Sequence, residues 1–173
     1  YMQDATGGEP VQVTKNNDTY IRGFEWSPDS KTIVYTDRKN RVNLLDVATK
    51  QVTTLLQDPM GEPRGVTFSP DNKWLTYTRT GDNDVSIVYV YNLADKKEYA
   101  VTDKWYNSSS PAFSTDGKYL IFASARDFNP TYGALEWNHV YDNMYGIYLL
   151  LLSSDTPSPF LEKDAVVAVA KDE

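Results

Sequence analysis

The chain has 173 residues and a net charge of −7, with 17 lysines and arginines against 24 aspartates and glutamates. An acidic surface repels phosphate backbones, which argues against a nucleic-acid partner. The absence of cysteine excludes disulfides, thiolate metal sites and cysteine nucleophiles, and no apolar run approaches the roughly 18 residues needed for membrane insertion as a helix.

The first predicted element is incomplete. Residues 4–14 match in pattern the turn and strand at residues 46–54 and 92–102, each of which closes a repeated unit further along the chain. Residues 1–19 are therefore predicted to supply one outer strand of a preceding sheet. On this interpretation the chain is an excised or truncated piece of a longer polypeptide.

The second element, residues 20–58, has the features of a complete four-stranded sheet. Its first strand ends at Trp26, and the turn Ser-Pro-Asp-Ser follows at residues 27–30. Proline presets φ for such a turn, and the aspartate side chain caps the local backbone. Three further strands are predicted, the first of them apolar on both faces as in a strand buried between layers: residues 32–36, 42–47 and 52–56.

The same order of strands and turns recurs at residues 64–104 and 110–170, where the fourth strands are predicted at residues 99–102 and 165–170. The aromatic residue that ends the first strand is now Phe68 or Phe113. We expect these two rings and Trp26 to be core residues. Self-similarity at roughly 40 to 50 residues, with strands between, indicates a β-propeller whose blades are four-stranded sheets.

The fold class predicted from this repeat is all-β. It is a partial β-propeller with about three four-stranded antiparallel blades and one stray N-terminal strand, which form a single fragment over residues 1–173. The turn aspartates Asp29, Asp71 and Asp116 recur at steps of 42 and 45 residues. Because they recur with turn residues and a following lysine, we interpret them as turn caps and not as an acidic site.

Three blades are fewer than the four to eight that close a propeller. Open blade edges carry unpaired backbone groups that invite pairing with another chain. Self-association through exposed blade edges is therefore predicted, and a six-bladed ring of two copies is one form that it could take.

The third unit contains a long insert at residues 124–145, far beyond the 2–5 residues of a hairpin loop. Long loops on a rigid scaffold are where binding tends to reside. Its aromatic side chains either plug the scaffold or contact a ligand. Arg126 either pairs with Asp127 at the loop base or recognises a peptide terminus. The residues predicted to contact a peptide or a partner are Arg126, Tyr132, Trp137, His139 and Tyr141.

Catalytic and metal-binding alternatives have little support. A serine triad would have to use His139, the single histidine, with a serine from residues 108–110, but no Gly-x-Ser-x-Gly elbow accompanies them. Calcium could use the oxygens of residues 82–84 or 16–18, although the former reads more simply as a hairpin tip. We predict no catalytic residue, no metal site and no cofactor.

The repeated Phe-Ser-Pro-Asp phrase resembles the WD40-like repeats of TolB and of tricorn proteases. The insert is more specific. Arg126-Asp127-Phe128-Asn129-Pro130-Thr131-Tyr132, then Glu136-Trp137-Asn138 and Asp155-Thr156-Pro157-Ser158-Pro159-Phe160, resembles the end of the second propeller in bacterial tricorn-like serine proteases.

This resemblance implies a non-catalytic segment made of the last blades of a seven-bladed propeller. It would act as a scaffold and peptide gate for a downstream serine-protease region, and its partners would be peptides or that region of the same polypeptide. The alternatives are a TolB-like protein-interaction propeller of the cell envelope and an independent propeller enzyme such as a glycosidase or lactonase. Bacterial relatives are often exported, so the resemblance favours a periplasmic or otherwise exported location over the cytoplasm.

Overall fold

The computed structural model describes residues 1–14, 18–127, 129–134 and 139–161, with the backbone alone for residue 139. Within these ranges the chain is all-β and has no helix, so none is available to span a membrane. The thirteen strands in the described ranges form three main sheets and one small hairpin. The first sheet contains β1 (Ile21–Trp26), β2 (Thr32–Asp37), β3 (Arg41–Asp46) and β4 (Val52–Gln57).

The second sheet repeats the first, and the third follows the same plan. The second contains β5 (Arg64–Phe68), β6 (Trp74–Thr80), β7 (Ser86–Asn92) and β8 (Lys97–Ala100). The third contains β9 (Ser108–Phe113), β10 (Tyr119–Ser124) and β13 (Gly146–Leu151), and the hairpin is β11 (Thr131–Tyr132) with β12 (His139–Val140).

All neighbouring strands are antiparallel and follow chain order within each sheet. The first two sheets are four-stranded and the third shows three strands, in the order β13-β10-β9. The fourth strand predicted for the last unit, at residues 165–170, lies outside the described residues. The three sheets pack in sequence and do not close into a ring, which confirms the prediction of an all-β, partial propeller.

The Ser-x-Asp turn between the first and second strands has one geometry in all three sheets. In the second, the Ser69 hydroxyl donates to Asp71 at 2.6 Å and accepts the Trp74 amide at 2.9 Å. The corresponding serine-to-aspartate bonds measure 2.7 Å in the first sheet and 2.6 Å in the third. The residue after each aspartate adopts positive φ, where asparagine and glycine are favoured: Ser30, Asn72 and Gly117. The aspartates therefore serve as turn caps.

Each sheet buries one face against the next. The first packs Val34 and Val42 against Leu75 and Tyr77 of the second, and all four side chains are almost fully buried. The second then packs its opposite face, which carries Val88, on the third. Because successive side chains alternate between faces, each sheet supplies two apolar surfaces, as a propeller blade must.

The N-terminal segment covers the free face of the first sheet. Met2 and Val11 form an isolated antiparallel bridge, and Val13 packs on Ile33 and Tyr35. Trp26 lies on this side and is 40% exposed, whereas Phe68 is 7% exposed. The prediction that Trp26 is a core residue is therefore wrong for this chain, because no complete sheet covers that face.

Candidate functional site

The antiparallel order sorts the loops onto two sides of the blades. The second strand of a sheet ends where its first strand begins, so links between blades and the second-to-third-strand connections share one side. We call this side the loop face. It comprises residues 38–40, 58–63, 81–85 and 101–107 and, within the insert, residues 125–127, 129–134 and 139–145. The Ser-x-Asp turns occupy the opposite side, which we call the turn face.

On the loop face, a buried ion pair joins the first blade to the second. Asp58 follows β4, its side chain is fully buried, and it accepts Arg79 Nε from β6 at 2.6 Å. Arg79 also contacts Glu98 at 2.6 and 2.7 Å, and the Tyr77 hydroxyl donates to Glu98 at 2.6 Å. Burial disfavours the charged guanidinium, but its hydrogen bonds to Asp58 and Glu98 outweigh this effect and raise the pKa of Arg79.

An equivalent contact joins the second blade to the third through a predicted site residue. Arg126, two residues after β10, contacts Asp103 at 3.2 Å and donates to the Ser124 hydroxyl at 3.2 Å. Its guanidinium also lies over the rings of Tyr106 and Tyr148, at 5.5 and 5.4 Å from their centroids. The expected Arg126–Asp127 pair is therefore wrong, because Asp103 and two rings hold the guanidinium.

The other predicted contact residues lie on or beside the insert hairpin. Tyr132 is 74% exposed and Tyr141 is 59% exposed. The backbone of His139 pairs with Tyr132 in the β11–β12 ladder. Trp137 lies outside the described residues, and the contact role of all five side chains stays a prediction.

Further aromatic side chains extend this exposed surface. Trp105 and Tyr106, in the link between the second and third blades, are 85% and 39% exposed, and Tyr145 at the end of the insert is also exposed. Aromatic rings on adaptable loops supply large contact area for polypeptide partners. The loop face of the third blade therefore has the composition of a contact surface.

We call the first strand of each sheet, β1, β5 or β9, its inner strand. The inner strands carry another feature that the sequence analysis missed. In β1, β5 and β9 the pairing register shifts near the start of the strand, between Ile21 and Phe24, between Arg64 and Thr67, and between Ser109 and Ala112. Bulges at corresponding positions re-aim the side chains beside them. Arg22 and Arg64 are equivalent residues at these bulges, four positions before the aromatic that ends each strand.

The two arginines differ in their partners. Arg22 contacts Glu62 at 2.7 Å. Arg64 is exposed and makes no ion pair with any other side chain in the described ranges. A cavity of about 400 Å³ opens between the inner strands at this level, and Arg64, Glu62 and Glu25 are among its lining residues. Glu25 is partly desolvated, which raises the pKa of its carboxyl group.

The residues considered for a serine nucleophile and for a calcium site make structural contacts instead. Ser108 is fully buried, and its hydroxyl lies 2.9 Å from that of Ser124. Residues 81–85 form a tight hairpin tip in which the Gly81 amide donates to Val85 at 2.8 Å. Within the described ranges, no group of three or more histidine, aspartate or glutamate side chains is placed to hold a metal ion.

One sequence signal could have located the ion pairs between blades. Asp58 and Asp103 each lie ten residues before the aromatic that ends the next inner strand, Phe68 or Phe113. That repeat marks a shared position after an outer strand. Their arginine partners stand at different positions, Arg79 within β6 and Arg126 two residues after β10, so the pairing itself required the structure.

Stacked antiparallel sheets with inner strands, outer strands and matching turns define a β-propeller segment. A family model described as the tricorn protease second beta propeller domain matches residues 1–173. The chain belongs to this family of propeller domains, which confirms the resemblance to tricorn-like proteases. The match is to a propeller domain and not to a catalytic domain.

Individual relatives agree with this family. Tricorn protease homolog 1 of Streptomyces coelicolor is 31% identical over 138 residues, which cover 78% of this chain and 13% of that protein. A crystal structure of the tricorn protease superposes with a TM-score of 0.79 at 19% identity, over 91% of this chain and 16% of that one. TolB of Acinetobacter baumannii gives a TM-score of 0.59 at 23% identity, over 80% and 36% of the two chains.

Proposed function

We propose that this chain is a non-catalytic propeller segment of a tricorn-like protease. It acts as a scaffold and as a peptide-binding and gating module for a serine-protease region of the same polypeptide. The chain spans 13% of the Streptomyces relative, so that region would be supplied by other parts of the protein. Family membership supports the propeller, and the inner strands support the handling of peptides.

The proposal rests on two arginines that occupy equivalent positions on neighbouring inner strands. In a chain of net charge −7, Arg22 and Arg64 stand at the same bulge of adjacent inner strands. Arg64 lines a cavity of about 400 Å³ and has no acidic partner in the described ranges. An unpaired guanidinium binds carboxylates and carbonyl oxygens, which every peptide presents.

The ion pairs between blades support the scaffold part of the proposal. A gate must keep its walls at a fixed separation while chains pass. Asp58–Arg79 and Asp103–Arg126 each tie one blade to the next on the loop face. Such directional contacts resist sliding of one sheet over another, which apolar packing alone resists less.

Peptide binding is testable by fluorescence anisotropy with a dye-labelled twelve-residue peptide that has a free carboxyl terminus. Arg64→Ser installs the residue that the third blade has at the corresponding position, Ser109. We expect affinity to fall about 1.5- to fivefold, the range for an exposed charged contact. Lys31→Ser removes an exposed cation from the turn face and is the matched control. Equal losses in both variants, or no loss in Arg64→Ser, would reject the inner-strand site.

The absence of catalysis is tested separately. The purified chain should leave fluorogenic peptides intact, because Ser108 is buried against Ser124 and no described acid or base contacts its hydroxyl. Cleavage that disappears in a Ser108→Ala or a Ser109→Ala variant would show that the segment itself is a peptidase.

A TolB-like interaction propeller is the second candidate, favoured by the structural likeness to TolB. In that case the exposed aromatics of the loop face would bind a protein of the cell envelope, and peptide affinity would not depend on Arg64. Capture of a defined envelope lipoprotein by the chain, lost in a Tyr132→Ala/Tyr141→Ala variant, would support this candidate over the first.

A further inference from the structure

A larger cavity opens on the opposite side of the molecule. It has a volume of about 710 Å³, lies between the second and third blades on the turn face, and is open to solvent. Its size falls within the range of ligand pockets, about 300–1,000 Å³. Its walls include three aromatic side chains and two carboxylates: Trp74, Tyr99, Phe113, Asp71 and Asp116.

The junction between the first and second blades has a contact between turns at the corresponding place. There the Asp29 amide donates to the side-chain oxygen of Asn72 at 3.2 Å. This hydrogen bond joins the turn of one blade to the turn of the next, and we call it the fastening of the first junction. At the second junction the residue equivalent to Asn72 is Gly117, which has no side chain to reach Asp71. A Cβ atom built on Gly117 meets nothing within 4 Å. The second junction therefore lacks the hydrogen bond that joins the turns of the first.

The aromatic walls are also particular to this junction. Trp74 begins β6, and Tyr99 lies on β8 beside Val90 on the same face of the sheet. Their ring centroids are 6.3 Å apart at an interplanar angle of 53°. The equivalent residues of the first blade are Thr32 and Thr53, so the junction between the first and second blades has no such rings.

The two carboxylates carry negative charge to the same opening. Asp71 accepts the Ser69 hydroxyl at 2.6 Å, and Asp116 accepts the Ser114 hydroxyl at 2.6 Å. These bonds favour the charged forms and lower the pKa of both carboxyl groups, so both are ionised at neutral pH. Lys73 Nζ lies 3.7 Å from the second oxygen of Asp71, and its side chain is largely exposed. At Asp116 the Ser114 hydroxyl and the Lys118 amide both donate to the same oxygen, Oδ1.

We propose that this cavity binds the cationic side chain of a lysine or arginine in an extended peptide. Aromatic faces and carboxylates together attract ammonium and guanidinium groups. We infer that the cationic group belongs to a peptide because β8 adjoins the cavity. This strand carries Tyr99, is the last strand of its sheet and has an unpaired edge. Extended chains bind such edges by strand addition and insert alternate side chains into adjoining pockets.

This site is distinct from the inner-strand site of the proposed function. It lies on the turn face, uses carboxylates where the inner strands use arginines, and selects a cationic side chain. Loss of one site in a variant leaves the other in place. The two proposals can therefore fail independently.

The test is calorimetric titration of the chain with alanine-based hexapeptides, acetylated and amidated, that carry one central lysine or norleucine. The lysine peptide should bind at least tenfold more tightly than its norleucine counterpart. Gly117→Asn introduces at the second junction the asparagine that joins the two turns at the first, and asparagine tolerates positive φ. This variant should bind the lysine peptide at least tenfold more weakly. Far-ultraviolet circular dichroism shows whether this variant keeps the sheet structure.

Two controls make the result specific. Asn72→Gly opens the first junction, which lacks the rings, and should leave affinity for the lysine peptide unchanged. Asp116→Asn removes one charge without changing shape and should reduce affinity severalfold. Equal binding of the lysine and norleucine peptides, or full binding by Gly117→Asn, would overturn the cation site. Equally tight binding of free n-butylamine would overturn the extended peptide as its source.

Discussion

Removal of Arg79 gives the sharpest test of how the blades are joined. Arg79→Leu keeps much of the side-chain volume but leaves Asp58, which is fully buried, without its cation. It also removes the cation from Glu98 and from the ring of Tyr89, 5.2 Å from the guanidinium carbon. Breaking a buried pair on one side costs about 3–5 kcal/mol, because an uncompensated charge remains inside.

This loss is large relative to the ~5–15 kcal/mol that stabilises a typical domain. The assay is equilibrium urea unfolding followed by far-ultraviolet circular dichroism. With a denaturant slope of about 2 kcal/mol per molar, the midpoint should fall by about 2 M. Adding Asp58→Asn to Arg79→Leu removes the unpaired charge, and the double variant should recover more than about 1 kcal/mol.

The matched control is Arg126→Leu at the next junction. Asp103 is 42% exposed in its side chain, so this ion pair is worth about 0–1 kcal/mol, and the two aromatic contacts add about 0.5–1 kcal/mol each. We therefore expect a cost of about 1–3 kcal/mol. Equal losses in Arg79→Leu and Arg126→Leu, or a loss below about 1 kcal/mol in Arg79→Leu, would show that burial does not govern these contacts.

Two further predictions concern the core and the turns. Phe68→Ala should cost about 3–5 kcal/mol of unfolding free energy in denaturant melts, whereas Trp26→Ala should cost clearly less because the ring is 40% exposed; equal costs would contradict the observed burial. The turn carboxyls of Asp29, Asp71 and Asp116 have lowered pKa values, chiefly because serine hydroxyls bond to them. Their stabilisation is complete above the unfolded carboxyl pKa near 4 and is lost as pH falls through the folded values. An acid titration of the melting temperature should show a loss below pH 4 that is smaller when all three are asparagine.

Much of the fold was predictable because it is encoded locally and three times over. The apolar strands and the Ser-x-Asp turns recur at a nearly constant step, so each copy supports the interpretation of the others. One strand began earlier than predicted: β8 starts at Lys97, not at Tyr99. The turn closes at Lys96, which takes positive φ, and pairing resumes at once.

The candidate sites were predictable only in part. The insert of the third unit stood out because its length breaks the repeat, and Arg126 was identified there. Its partner was not, because Asp103 lies 23 residues earlier on the preceding blade. The inner-strand arginines and the cavity on the turn face lack a local signature, since their lining residues come from different strands.

Sequence alone determined the blade as a unit: its strand order, its turn chemistry and its alternating apolar faces all depend on residues close together in the chain. Tertiary structure decided which side chains became buried, paired or open to solvent. Trp26 and Phe68 hold the same place in the repeat, yet Phe68 packs against a complete four-stranded sheet, whereas the N-terminal segment covers the face that carries Trp26. Burial depends on what packs against a blade, and a single repeat carries no information about its neighbour.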